Sequence, residues 1–154
     1  MRSATIVGRP ILDGLPFRMA ALVMPADKDY LALARLAAMH VAGMLDLPIG
    51  RVGDLRLAVH EACALLLSTP AKAPDRRNAT AENALELSFD RCPGELRVNV
   101  RGPAPAHRPD PEDIGWLVLQ ALVDEVRLET THVTATATAT ATATVTLIAS
   151  LPEQ

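Results

Sequence analysis

Aromatic side chains are few: two Phe, one Tyr and one Trp in 154 residues. The apolar fraction is still 49%, so any core must be built from Leu, Val, Ala, Ile and Met. Cysteine is as scarce. Cys63 and Cys92 lie far apart and fit no metal-ligand spacing, which reads as two free thiols in a reducing compartment. No apolar run has the length of a membrane span, and the N-terminus lacks the charged-then-apolar layout of a secretion signal. A formal net charge of −3 and a pI near 5.8 supply no basic stripe for nucleic acid. These absences lead to the expectation of a cytoplasmic protein with one aliphatic core.

What is present centres on Arg51–Ser68, RVGDLRLAVHEACALLLS, a run of good helix formers with no internal proline. Leu55, Ala58, Val59, Ala62 and Leu66 fall at steps of three and four and line one side of a helix. Leu57, Ala64 and Leu67 occupy other sides, leaving a narrow open strip around Arg56, His60 and Glu61. A helix apolar on nearly every side is buried between other elements. Glu61 therefore needs an explanation, since a buried carboxylate is paired, protonated or turned to a cleft.

The rest of the chain divides around that helix. Residues 1–15 hold Gly8, Pro10 and Gly14 without periodicity and read as a flexible extension; 16–151 form the domain. Pro16–Met24 predicts a strand stopped by Pro25, and Asp27 is placed to cap a helix over Tyr30–Leu45. The expected inner face of that helix is Leu33, Leu36, Ala37, Val41 and Met44. Pro48 and Gly50 separate it from the central helix. Thr69–Asn83 is polar, proline-bearing and aperiodic, hence a loop.

Ala84–Phe89 and Glu95–Arg101 alternate as a hairpin around Pro93-Gly94. Gly102–Pro111, with four prolines, predicts no regular element. Asp113 can start a third helix, its inner face carrying Trp116, Leu117, Ala121 and Leu122. Val126–Thr130 and Val145–Leu151 read as the last strands. Between them Thr134–Thr144 is an unbroken Thr-Ala alternation of weakly specified register, read as an expansion of a hairpin tip. Strands grouped without βαβ repetition predict an α+β fold.

DLRLAVHEACALLL resembles the signature helix of RsbW-type anti-sigma factors, small relatives of the histidine-kinase and gyrase ATPases. The resemblance rests on Asp54, Leu55, Leu57, Ala58, Val59 and Glu61, and again on Ala121, Leu122, Asp124, Glu125 and Val126. It implies a two-layer sandwich of the histidine-kinase-like ATPase fold, a mixed, mostly antiparallel sheet covered on one face by about three helices. It also implies a sigma factor and an anti-anti-sigma factor as partners, and a homodimer. Arg35 matches an arginine that engages those partners. Glu61 occupies the family's general-base position, and Gly102 and Gly115 lie near its nucleotide-binding glycines.

Three departures separate this chain from a working kinase of that family. Leu65 stands where an Asn holds magnesium. The strand Leu96–Arg101 is followed by Gly102-Pro103-Ala104-Pro105, without the acid that reads adenine. The lid is short and proline-rich, and proline removes N–H donors that would cradle phosphate. The resemblance thus implies sequestration of a sigma factor by binding, with no certain cofactor and no metal. The alternatives are an active ATP- and magnesium-dependent serine kinase of an anti-anti-sigma factor, or a sensor reusing the cleft for a small ligand. A zinc helix is excluded because H-E-x-x-H needs a second histidine at position 64, which is Ala64. His40 and His60 read as ordinary, partly buried imidazoles, and Ser68 as no nucleophile.

Overall fold

Among the described residues, alternation, helical spacing and turn residues translate into five strands, three α-helices and one 3-10 turn. The computed structural model describes residues 15–67, 84–135 and 138–153. The extension expected over 1–15, apart from Leu15, the loop over Thr69–Asn83 and Ser68 fall outside them, save Ala84 onward. The strands are β1 (Phe17–Pro25), β2 (Ala84–Cys92), β3 (Glu95–Pro103), β4 (Glu125–Ala135) and β5 (Thr138–Ser150). The helices are α1 (Leu31–Met44), entered through a 3-10 turn at Lys28–Tyr30, α2 (Ile49–Leu66) and α3 (Ile114–Leu122).

The sheet order is β1-β2-β3-β5-β4, and every neighbouring pair is antiparallel. The resemblance implies a mixed, mostly antiparallel sheet, and among the described strands every pairing is antiparallel. The architecture is α+β in two layers, with the helices packed on one sheet face.

Period-two patterning decides which face that is. Leu85, Leu87 and Phe89 on β2, Leu96, Val98 and Val100 on β3, and Val145 and Leu147 on β5 are buried beneath the helices. Burying each such aliphatic chain contributes about 1.5–3 kcal/mol, so this layer dominates stability. The opposite face is polar. Ser88, Asn99 and Thr146 stand side by side in register, with Thr146 Oγ1 donating to Asn99 Oδ1 at 3.0 Å and Asn99 Nδ2 donating to Ser88 Oγ at 3.3 Å. Ion pairs such as Arg18–Asp90 at 3.0 Å flank that row; exposed pairs of this kind add little.

The central helix meets expectation: Leu55, Ala58, Val59, Ala62 and Leu66 are all buried, and Cys63 with them. Burial pushes the Cys63 thiol up to about 12, so it is held protonated and unreactive. Helix α2 starts at Ile49 rather than Arg51, because Pro48 sits at the N-cap where its missing N–H costs nothing.

Helix α1 turns a different face inward. Ala34, Ala38, Val41 and Ala42 are buried, while Leu33, Leu36 and Met44 are 44%, 61% and 57% exposed. Small residues four apart let the helix lie close to its neighbours, and that close approach displaces the larger side chains outward. The helix stops in a Schellman motif. Asp46 takes φ 53°, Leu47 N–H reaches Ala42 O at 3.1 Å, and Asp46 N–H reaches Gly43 O at 3.1 Å.

Helix α3 is likewise rotated from its expected face. Leu119 is buried and Trp116 and Leu122 pack partly against the core, whereas Leu117 and Ala121 are exposed. The inward spacing is 115, 116, 119 and 122, which a nine-residue helix shows too briefly for periodicity to fix.

The strands run further than expected. β2 reaches Cys92, and Pro93-Gly94 turns the chain with Gly94 at φ 71°, the positive φ that a proline-initiated type II turn requires. β3 continues through Gly102 and Pro103, pairing with Ala143 and Thr142, although four prolines had argued against regular structure there. Most of the Thr-Ala repeat is strand, as its period of two suits, and it extends the β4–β5 hairpin. Its register is set from outside the repeat, by β3, through Arg101 opposite Thr144 and Gly102 opposite Ala143.

Candidate functional site

The residues singled out in the sequence fall on four elements: Arg35 on α1, Glu61 on α2, Gly102 on β3 and Gly115 on α3. Glu61 is half-buried on α2 and turned toward the start of α3. A Cβ placed on Gly115 would lie 3.7 Å from Glu61 Oε2 and 3.5 Å from Asp113 Oδ1. Glu61 and Gly115 are therefore neighbours. Among the described residues Glu61 has no side-chain hydrogen-bond partner.

Asp113 changes what this end of α3 can do. Its Oδ1 accepts the Gly115 N–H at 2.9 Å, so one of the free amides of the helix start is already satisfied by a carboxylate. With Glu61 alongside, two carboxylates crowd a helix end that would otherwise attract an anion.

Gly102 serves packing. It is buried on β3, and a Cβ there would stand 2.6 Å from Leu85 Cδ2 and 3.4 Å from Leu66 Cδ1. Glycine lets β3 pass beneath these two buried leucines. Leu65 packs partly against the core on the α3 side of α2, beside Glu61 in the helical row.

Arg35, on α1, is not free. Its Nη1 lies 3.0 Å from Nδ1 of His60, joining α1 to α2. Since a guanidinium only donates, Nδ1 is the acceptor. His60 was set aside in the sequence as an ordinary imidazole, and His40 is exposed rather than partly buried. Nothing in the sequence could pair residues 25 apart on two helices.

The acidic end of the second family match is structural. Asp124 Oδ2 accepts Ser150 N–H at 2.6 Å and Arg51 Nη2 at 3.2 Å, tying the start of β4 to the end of β5 and to the first turns of α2. The Ser150 amide, and after it Arg51, hold this carboxyl below the usual carboxylate range. A depressed folded value means stability that is present above about pH 4, the unfolded value, and lost as pH falls through the folded one. Asp124→Asn is expected to flatten the acid side of a stability-versus-pH curve below about pH 4. The effect is small because the carboxylate is 48% exposed, and urea melts of both proteins from neutral to strongly acid pH measure it. Parallel curves would remove this role from Asp124.

Among the described residues no three His, Cys, Asp or Glu side chains converge in a group able to hold a metal ion. No helix there is long and apolar enough to cross a membrane.

No family model matches the chain, and no curated protein matches it. Solved structures do. One match is the crystal structure of the RsbU and RsbW domains of Rv1364c from Mycobacterium tuberculosis, with a TM-score of 0.59 over 91% of this chain. The fold is RsbW-like. At 14% identity the likeness extends to the fold alone, and the chain spans 33% of the length of that solved chain. Glu61 meets Gly115 at the start of α3, whereas Gly102, near the end of β3, meets Leu85 and Leu66. Arg35 meets His60 of α2.

Proposed function

We propose that the protein is an anti-sigma factor that works by binding: it holds a sigma factor away from RNA polymerase in the cytoplasm, and an anti-anti-sigma factor competes for it. The observation that carries this reading is the outward surface of α1 and α2. Leu33, Leu36, Met39 and Leu57 are each more than 40% exposed there, around an arginine fixed by His60. Scattered exposed leucines mean little, but four on adjoining helices around an anchored arginine have the make-up of a binding surface.

The cleft at Glu61 does not fit a magnesium-bound nucleotide. Leu65 offers no ligand where the metal would be held, and a phosphate at the start of α3 would meet Asp113 and Glu61. Loss of metal and of backbone donors removes the main stabilisation that phosphoryl transfer needs. This supports sequestration over the serine kinase, and no specific observation favours a small-ligand sensor.

The test is in vitro transcription with the sigma factor that co-purifies with the protein in its own cells. Adding the protein is expected to silence transcription from that sigma factor's promoters. Arg35→Glu should weaken the complex by roughly 30-fold or more, the scale of an interface hot spot. If no sigma factor co-purifies, or transcription is unaffected at saturating protein, the reading is wrong.

A further inference from the structure

The contact between Arg35 of α1 and His60 of α2 turns on a single proton. A guanidinium carries N–H donors and no acceptor, so the 3.0 Å approach of Arg35 Nη1 to His60 Nδ1 needs a lone pair on that nitrogen. The imidazole is then neutral, with its proton on Nε2. An imidazolium has an N–H at both ring positions. A proton on Nδ1 therefore removes the acceptor and sets a second cation against the guanidinium.

The elements packed on α2 do little to offset that added charge. They are α1, α3, β3 and β5. On α1 the ionisable side chains are Arg35 and His40, the latter exposed. Helix α3 has no ionisable residue. Beneath α2, β3 and β5 turn the buried Leu96, Val98, Val100, Val145 and Leu147 inward. On α2 itself helical spacing puts Asp54 and Glu61 on one side of Leu57, and His60 with Arg56 on the other. Glu61 is turned toward Gly115.

We propose that His60 is a positioning residue for Arg35 and that its protonation releases the contact. The neutral ring holds the guanidinium in the orientation a partner meets, and the imidazolium lets it go. The inference rests on the function proposed above, in which Arg35 touches the sigma factor. A side chain already held gives up less freedom on binding than a loose one, so the complex favours the unprotonated ring. The complex then holds one proton fewer. Affinity is full at alkaline pH and falls as pH drops through the range, about 8 to 5, in which imidazoles titrate. A single group limits that fall to about ten-fold per pH unit.

Imidazole nitrogen NMR on the full chain tests the contact without a partner. At about pH 8 the His60 ring should carry its proton on Nε2. As pH is lowered, the Arg35 guanidinium resonances should shift with the same midpoint as the ring. Two variants carry the test to the complex. His60→Asn places an amide oxygen, an acceptor that takes up no proton in this range, near the position of Nδ1. His60→Leu removes the acceptor. Circular dichroism checks that both fold.

From about pH 8 to about pH 5.5, binding of the co-purifying sigma factor should weaken about ten-fold, the lower end of what a hydrogen bond to a charged group contributes. In His60→Asn binding should stay strong and lose this dependence. In His60→Leu it should be weak throughout. A proton on Nδ1 at the alkaline end, or Arg35 resonances indifferent to the ring, would overturn the proposal. So would a His60→Asn complex with the wild-type acid slope, or a complex that tightens in acid. If the NMR result holds and no sigma factor binds, the proposed function fails and the proton-controlled contact between α1 and α2 stands.

Discussion

Phe89→Ala is expected to cost about 3–5 kcal/mol of folding free energy, the largest loss from any single truncation in the chain. The reason lies in the composition. Of four aromatic residues only Phe89 is fully buried; Phe17 is 44% exposed, and Tyr30 and Trp116 are half-buried. Phe89 sits on β2, opposite Ala20 of β1 and Val98 of β3, where small and β-branched neighbours cannot swell to fill the space it leaves. At roughly 2–4 °C per kcal/mol for a chain of this size, the melting temperature should fall by about 6–20 °C. Calorimetry or thermal circular dichroism reads this directly. A fall of only a degree or two would mean that the layer between sheet and helices is not packed as described.

Gly102→Val should be the next most damaging change, at about 3 kcal/mol, from overpacking rather than from a cavity. A first added carbon already comes within 2.6 Å of Leu85, and Leu66 closes the other side at 3.4 Å; both leucines are essentially inaccessible to solvent. Gly102→Ala should cost less, about 1–2 kcal/mol, because the Leu85 end methyl can turn aside. The graded pair separates two roles for this glycine. If the backbone at 102 served only to let a ligand approach, the unliganded protein would tolerate both changes in a urea melt. If it serves packing, the loss scales with side-chain size.

The sequence was most informative where one surface demanded one periodicity. Helix α2 lies between α1, α3 and the sheet, so its buried stripe is long and legible apart from Cys63, but the expected burial on nearly every side fails at Leu57, which is 41% exposed. On helix α1 apolar residues line two sides, so spacing alone leaves the buried face open, and of the expected face only Val41 is fully buried. The buried side is the one with Ala34, Ala38 and Ala42, since close helix packing selects small residues. Nine residues of α3 gave the same ambiguity with less length to resolve it, and Leu119 rather than Leu117 faces the core.

Site geometry was legible only within an element. That Glu61 lies on a helix followed from the spacing of its apolar neighbours, and Asp113 as a helix start followed from its residue type. The contact between Arg35 and His60 did not, because it depends on how two helices are set side by side. The consequence of Asp113 was equally hidden. A helix cap costs nothing in sequence terms, yet here its carboxylate stands where an anion would otherwise bind. The Thr-Ala repeat shows the same limit for strands: its own pattern leaves register open, and the neighbouring β3 closes the question.

The measurement that bears most directly on the account is titration calorimetry of the full chain with magnesium-ATP. With an aliphatic side chain at 65 and two carboxylates at the start of α3, no saturable heat is expected at up to about 1 mM nucleotide, the affinity equivalent of roughly 4 kcal/mol. Micromolar binding that is weakened by Glu61→Ala would contradict it, and would return the protein to the kinases.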